Sequence, residues 1–235
     1  MNTSASSREL PVALSIAGSD SGAGAGIQAD LLTFASQGVF GTTAITCLTA
    51  QNPHGVSGIQ ASPAAFVVEQ CAQVAAHFHP KALKTGMLLN AEIVVAVAGF
   101  IQSSGIPAVI DPVMVASSGA TLLAPDAVAA VKTRLIPLAA VVTPNLDEAT
   151  ILLGRKSLGG VAEALELAKA YGVPFLLKGG HAEGDDLTTA LPGRPARPRP
   201  SPRAGLRTWT PMAAAAPSPP PSPPSSPRAR ASPKP

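Results

Sequence analysis

The stretch Gly18-Ser19-Asp20-Ser21-Gly22-Ala23-Gly24-Ala25-Gly26-Ile27-Gln28-Ala29-Asp30 follows a short apolar run, PVALSIA at 11–17, and opens an apolar segment of helical period. Strand, small-residue loop and helix, in that order, form the unit by which an open α/β sheet presents a loop to a ligand. Glycines let backbone N–H groups approach a bound molecule closely, and the helix N-terminus adds a partial positive charge. No Gly-Lys-Ser/Thr follows, so the loop is not a Walker A motif, and the GxGxxG spacing of a dinucleotide fingerprint is not reproduced. The residues alone leave two readings open, a ligand loop and a tight structural turn.

Outward from this loop the pattern repeats. Short apolar runs at 42–49, 81–85, 107–111, 139–143 and 173–178 read, with 11–17, as strands. Ala-rich stretches near 27–37, 63–78, 91–103, 125–134, 146–153 and 159–171 read as helices. Ser62 with Pro63 and Pro125 with Asp126 are helix start signals, and several helices end near glycine. The strands are apolar on both faces and their connections are long enough for crossovers. An α/β fold with a mostly parallel central sheet and helices on both faces follows.

The pattern stops at Leu191. Residues 191–235 hold 15 of the 25 prolines, eight of the 17 basic residues and none of the 14 acidic ones. Residues 1–190 therefore carry nine basic against 14 acidic residues, a net −5, and the tail carries +8. The formal net charge of +3 describes neither part, so no nucleic-acid partner is inferred from it. Three segments are expected: a flexible N-terminus at 1–10, one domain at 11–190, and a disordered Pro/Arg-rich tail at 191–235 with polyproline II character. A tail of this kind can serve as an SH3-type ligand or a nucleic-acid arm, or have no evolved function.

Met1–Leu10 lacks the apolar core of a secretory signal and no run reaches the length of a membrane span, so the expected location is cytoplasmic with no membrane partner. Cys47 and Cys71 lie in apolar stretches, which suits reduced core thiols. The four histidines show no zinc-site spacing, and His77 and His79 fall at a helix end, where a solvated or dipole-facing role is expected.

Six motifs occur in a fixed order: GSDSGAGAGIQADLLTF at 18–34, AITCLTAQNPHGV at 44–56, KTGML at 84–88, VIDPVM at 109–114, TPNLDEA at 143–149 and LLKGGH at 176–181. Together they resemble the hydroxymethylpyrimidine and phosphomethylpyrimidine kinases of thiamine synthesis over residues 11–186; pyridoxal kinases share parts of the pattern. The resemblance implies a ribokinase-like fold, usually dimeric, that uses ATP and Mg²⁺ to phosphorylate 4-amino-5-hydroxymethyl-2-methylpyrimidine and then its monophosphate. It places Gly18, Ala25, Asp30, Gln51, Met87 and Val113 around the pyrimidine. Asp111 and Glu148 take the place of the acidic pair that holds Mg²⁺, and Asn145 and Lys178 that of the nucleotide-phosphate contacts. An amide at Gln51 offers the donor and acceptor that an aminopyrimidine edge requires, and Met87 and Val113 offer apolar walls. Each also has a plainer reading: Gln51 as an amide satisfying loop backbone, Asp30 as a complement to a helix dipole, Asp111 as a strand-end turn and Glu148 as a first-turn helix acid. Leu32 departs from the family, which commonly has lysine there, but lies outside these positions.

After LLKGGH the family continues to a loop of the type His-Gly-Thr-Gly-Cys-Thr-Leu-Ser-Ala-Ala-Ile, which forms the anion hole and supplies the catalytic residue. No GxGC or GxGD segment follows residue 186, so the C-terminal part of the fold is missing and the catalytic residue is unassigned. Codons for Trp209–Pro223, read from their third bases, are compatible with Asp-Thr-His-Gly-Cys-Gly-Cys-Thr-Leu-Ser-Ala-Ala-Ile-Ala. A shift of reading frame between about Gly184 and Arg194, by mutation or sequencing error, accounts for both the foreign tail and the absent loop. Two alternatives to an active pyrimidine kinase remain: a pyridoxal kinase-like enzyme, and an inactive remnant that only binds the pyrimidine.

Overall fold

A computed structural model of the chain describes residues 10–115, 123–178 and 188–190. The expected flexible N-terminus up to residue 9, the Pro/Arg-rich tail and the frame-shifted loop lie outside the described residues.

The elements run β1 (Val12–Asp20), α1 (Gly26–Ser36), β2 (Phe40–Asn52), β3 (Gly55–Ala61), α2 (Ala64–Phe78), β4 (Ala82–Thr85), α3 (Ala91–Ser104), β5 (Ala108–Ile110), α4 (Pro125–Ala130), β6 (Val141–Val142), α5 (Leu146–Leu153), α6 (Val161–Tyr171), β7 (Phe175–Leu177) and β8 (Thr188–Ala190). They build one sheet in the order β3-β2-β1-β4-β5-β6-β7-β8. The six inner strands are parallel, and β3 and β8 add antiparallel edges. All six expected strands and all six expected helices are present. The structure adds β3 and β8, which no sequence reading anticipated.

Strand order decides where the helices lie. The chain steps one way from β1 to β2 and the other way from β1 to β4 and beyond, so right-handed crossovers put α1 on one face and α2 and α3 on the other. Leu83, Ala108, Ile110, Val142, Phe175 and Leu177 are buried on the strands, and α3 buries Ile93, Val94, Val97, Phe100 and Ile101 in the same core. On the opposite face α1 lies close to β2 at Gly41, where an added Cβ would stand 2.6 Å from Leu31 Cδ2 and 2.9 Å from Phe34 Cδ2. Cys47 and Cys71 are fully buried and free, as their apolar surroundings imply, and burial pushes the Cys71 thiol up to about 12.

Local signals explain the element ends. Gly105, Gly154 and Gly172 stop α3, α5 and α6 with φ of 64°, 70° and 72°, the left-handed cap that glycine adopts freely. Pro125 stands in the first turn of α4. The Ser62 signal fails: Pro63 is the N-cap residue of α2, and no side-chain cap bond is made there. The expected helix at 125–134 is α-helical only over Pro125–Ala130 and then changes pitch, passing into a π-helical turn at Val131–Leu135 and a 3₁₀ turn at Ile136–Leu138.

The loop from α5 to α6 is organised by one carboxylate. Glu163, 8% exposed, accepts from Ser157 Oγ at 2.5 Å, Gly159 N at 2.9 Å, Leu158 N at 3.2 Å and Arg155 Nη1 at 3.0 Å. Desolvation pushes its pKa upward, but these donors outweigh it and hold the group at about 2. A depressed folded-state pKa contributes stability that is full above the unfolded value near 4.5 and fades as pH falls from there toward 2. Replacing Glu163 with Gln is expected to lower unfolding stability at neutral pH by about 1–3 kcal/mol and to flatten its decline below pH 4.5, measured by denaturant titration across pH.

Candidate active site

The carboxyl ends of the parallel strands are tied to one another beyond the regular ladders. Gly86 N donates to Ile16 O at 2.9 Å, Asp111 N to Thr85 O at 3.2 Å, Thr143 N to Ile110 O at 2.9 Å and Lys178 N to Pro144 O at 2.8 Å. This staircase brings the residues after β4, β5, β6 and β7 to one level. Above them lies a cavity of roughly 370 Å³.

The loop after β1 forms one wall, and Asp20 organises it. Its buried carboxylate accepts from Gly22 N at 2.7 Å through Oδ1 and from Ala25 N at 2.9 Å through Oδ2, and Ala23 N donates to its carbonyl oxygen at 3.0 Å. Gln28 accepts from Asp20 N and donates to Ser19 Oγ. Three loop N–H groups are thus spent within the loop, which presents small side chains to the cavity more than it presents an anion cradle. Gly26 completes the turn at φ 60°, where an added Cβ would stand 2.4 Å from Gly18 O. Gly18 is itself close-packed, with Cys47 Sγ and Met87 Cε each 3.0 Å from the place of a Cβ. Gly26→Ala is expected to destabilise the fold by more than about 2 kcal/mol, read from the denaturant midpoint, because both the backbone conformation and the Gly18 contact oppose a methyl group.

Gln51 closes the cavity from the end of β2. Its main chain is clasped by the loop: its N–H donates to Ser21 Oγ at 2.8 Å, and Ser21 Oγ donates to its carbonyl at 2.7 Å. Among the described residues the side-chain amide meets only Thr49 Oγ1, at 3.3 Å from Oε1. Loop backbone is therefore satisfied by Ser21 and not by the Gln51 amide, which stays available to the cavity. Met87 is fixed by Thr46 Oγ1, which donates to its carbonyl at 2.7 Å. Val56 and Ile59 of β3 add apolar wall beside Met87, Val113 and Val115. The sequence does carry a sign of this hairpin in Asn52-Pro53-His54-Gly55, a turn cluster between two runs of strand type, with Asn52 paired to Gly55.

The opposite end is charged. Lys178, just after β7, donates to Asp111 Oδ1 at 2.7 Å. Asn145 caps α5 in a reciprocal box, with its Oδ1 accepting from Glu148 N at 2.8 Å and its own N–H donating to Glu148 Oε2 at 2.8 Å. One side-chain atom of each residue is used by the box, so neither side chain is exhausted. Glu148 is 2% exposed, and burial pushes its pKa up to about 7 against the pull of the Asn145 N–H and Lys178, with the nearby Asp111 charge adding to the rise.

All ten residues selected from the sequence line this one cavity: Gly18, Ala25, Asp30, Gln51, Met87, Val113, Asp111, Asn145, Glu148 and Lys178. Sequence reading missed Asp20, Val56, Ile59, Lys84 and Gly86, which line it as well. Leu32 is exposed on α1, away from it.

A family model described as phosphomethylpyrimidine kinase matches residues 20–192. The chain belongs to this family. It is 49% identical over 181 residues to the hydroxymethylpyrimidine/phosphomethylpyrimidine kinase of Rhizobium meliloti, across 75% of this chain and 68% of that one. The phosphomethylpyrimidine kinase crystal structure from Clostridium difficile superposes with a TM-score of 0.74 at 34% identity, covering 81% of this chain and 84% of that one. The ADP complex of Bacillus subtilis pyridoxal kinase gives 0.71 at 34% identity, covering 81% and 74%. The ribokinase-like fold expected from the six motifs is the fold observed.

In this kinase the buried Glu148 carries a predictable pH dependence. An acid whose folded-state pKa lies above its unfolded value holds more protons folded than unfolded between the two, so it subtracts stability as pH rises from 4.5 to 7. Glu148→Gln, which retains the capping geometry, is expected to be more stable than the parent above pH 7 and closer to it at pH 4.5, by thermal melts at the two pH values.

Proposed function

We propose that the chain binds 4-amino-5-hydroxymethyl-2-methylpyrimidine at the Gly18–Gln51–Met87 end of the cavity and the phosphates of ATP at the Asn145–Lys178 end, for phosphoryl transfer in thiamine synthesis. The observation that carries this reading is the convergence of two unlike sets of residues on one cavity: apolar walls with an available amide, and a cation with two carboxylates. Phosphoryl transfer asks the protein for positioning and charge more than for covalent chemistry, which is what these two ends offer.

Gly18 and Ala25 leave room for a flat ring, Met87 and Val113 pack on it, and the Gln51 amide pairs with its edge. Lys178 exchanges its Asp111 contact for phosphate oxygens, and Asn145 adds a donor from the free half of its cap. Asp111 and Glu148 fit a Mg²⁺ ion carried in on the nucleotide. Two carboxylates with waters and phosphates are the usual ligands for that ion, and among the described residues no group of three or more His, Cys, Asp or Glu side chains forms a dedicated metal cage. The ion would supply charge neutralisation at the phosphates. A homodimer, as the resemblance implies, belongs to the same reading. Among the described residues no helix is long and apolar enough to cross a membrane.

Calorimetry with the pyrimidine and with Mg·ATP tests both ends separately. Gln51→Leu is expected to weaken the pyrimidine about tenfold or more with little change for the nucleotide, and Lys178→Ala the reverse. Equal binding of the pyrimidine by Gln51→Leu and the parent, or preference for pyridoxal in competition, counts against the reading. Pyridoxal is the informative competitor because the pyridoxal kinase fold matches nearly as well.

The frame-shift reading belongs to the same proposal. Restoring the frame between Gly184 and Arg194 is expected to raise turnover by about 10²–10³, the scale associated with one set of anion-hole donors. Unchanged turnover, or family-like sequence in neither alternative frame of the gene, sinks it. Removal of the segment after Ala190 should leave pyrimidine binding intact, which separates a kinase site from a function residing in the tail.

A further inference from the structure

One charged cluster on the cavity wall joins Asp30 to two residues that the site as derived so far does not use. Lys84 is the third residue of β4, and its ammonium donates to both oxygens of Asp30, at 3.0 and 3.1 Å. Ser15, fully buried on β1, donates to Asp30 Oδ2 at 2.6 Å. Ser15 and Lys84 are direct register partners across the sheet, and Asp30 reaches down to them from α1. The two charged side chains are 17% and 23% exposed, and both line the cavity. Gly86 makes room for this arrangement. A Cβ there would stand 3.1 Å from Lys84 Nζ and 2.9 Å from Ala17 Cβ.

An ionised carboxylate offers about four lone-pair directions. Ser15 and Lys84 occupy three, leaving one for a donor in the cavity. The same contacts fix the Asp30 side chain in one orientation. The ammonium also offsets the negative charge, so the wall presents an acceptor without presenting a net anion. Removing the lysine would leave a part-buried carboxylate uncompensated and free to turn toward water, which takes the acceptor out of place.

We propose that Lys84 is a positioning residue which, with Ser15, orients the Asp30 carboxylate as an acceptor for an N–H donor of the bound substrate, the amino group of an aminopyrimidine. The inference rests on the pyrimidine reading of the cavity and adds to it the source of selectivity for a neutral ring bearing a donor. Gly86 adjoins the same device, since a Cβ there would crowd Ala17 Cβ and press on the ammonium.

The test compares calorimetric affinities of the full chain for 4-amino-5-hydroxymethyl-2-methylpyrimidine and for the analogue with hydrogen in place of the amino group. The parent is expected to favour the amino compound by about tenfold or more. Lys84→Met reduces that ratio at least about threefold, and Ser15→Ala shifts it in the same direction. A merely structural lysine would lower the melting temperature and leave the ratio alone. An unchanged ratio in folded Lys84→Met overturns the inference; should that variant fail to fold, an unchanged ratio in Ser15→Ala does so. Binding of neither compound by the parent overturns the pyrimidine reading and this inference with it, whereas parent selectivity that survives in Lys84→Met overturns this inference alone.

Discussion

The site depends on the staircase of main-chain hydrogen bonds that continues the parallel ladder past the ends of the strands. In a parallel sheet each strand can be pinned by its neighbour one step further along, and here Gly86, Asp111, Thr143 and Lys178 each donate to the strand beside them. Four side-chain positions on four separate strands are thereby set by backbone geometry alone. The cavity floor is consequently rigid before any side chain is considered, and the chemistry is assigned by what each step carries: space at Gly86, an acid at Asp111, a cation at Lys178.

The loop and the hairpin above that floor are fixed differently, through side chains acting on backbone. Asp20 folds the glycine-rich loop onto itself, Ser21 clasps the main chain of Gln51, and Thr46 holds the carbonyl of Met87. Small polar residues bind the walls, which frees the larger side chains for the cavity. This division explains why a loop rich in glycine need not be a phosphate cradle. Three of its N–H groups are consumed by Asp20, and its small side chains leave the cavity open beside it.

Much of this was legible in the sequence because parallel strands and Ala-rich helices repeat with unmistakable period, and because strand ends coincide with the quoted motifs. Asp111 and Lys178 could be placed since each directly follows a short apolar run. The edge strand β3 was not legible by alternation: Val56 and Ile59 are three apart, a bulge interrupts its pairing with β2, and all its residues are exposed. Only the Asn52–Gly55 turn announced it. Lys84 was hidden for another reason, since a lysine within a strand reads as a solvated edge residue, and its partner Asp30 stands 54 positions away in sequence. The π-helical turn after α4 left no periodic trace, because one extra residue in a turn barely disturbs a helical pattern.

Charge in the cavity is arranged in ion pairs with two exceptions, Asp20, whose carboxylate accepts loop N–H groups, and Glu148. Asp30 is matched by Lys84 and Asp111 by Lys178, so neither aspartate is left as an isolated part-buried charge. Glu148 has only the remoter influence of Lys178 and the N-terminal end of α5, and burial lifts its pKa. A cation brought to this end of the cavity would reverse that balance, stabilising the Glu148 carboxylate and competing with Lys178 for Asp111. Without one, Lys178 stays committed to Asp111 and the burial of Glu148 stays uncompensated, so the charge at this end of the cavity is set by two groups that a single added cation would rearrange.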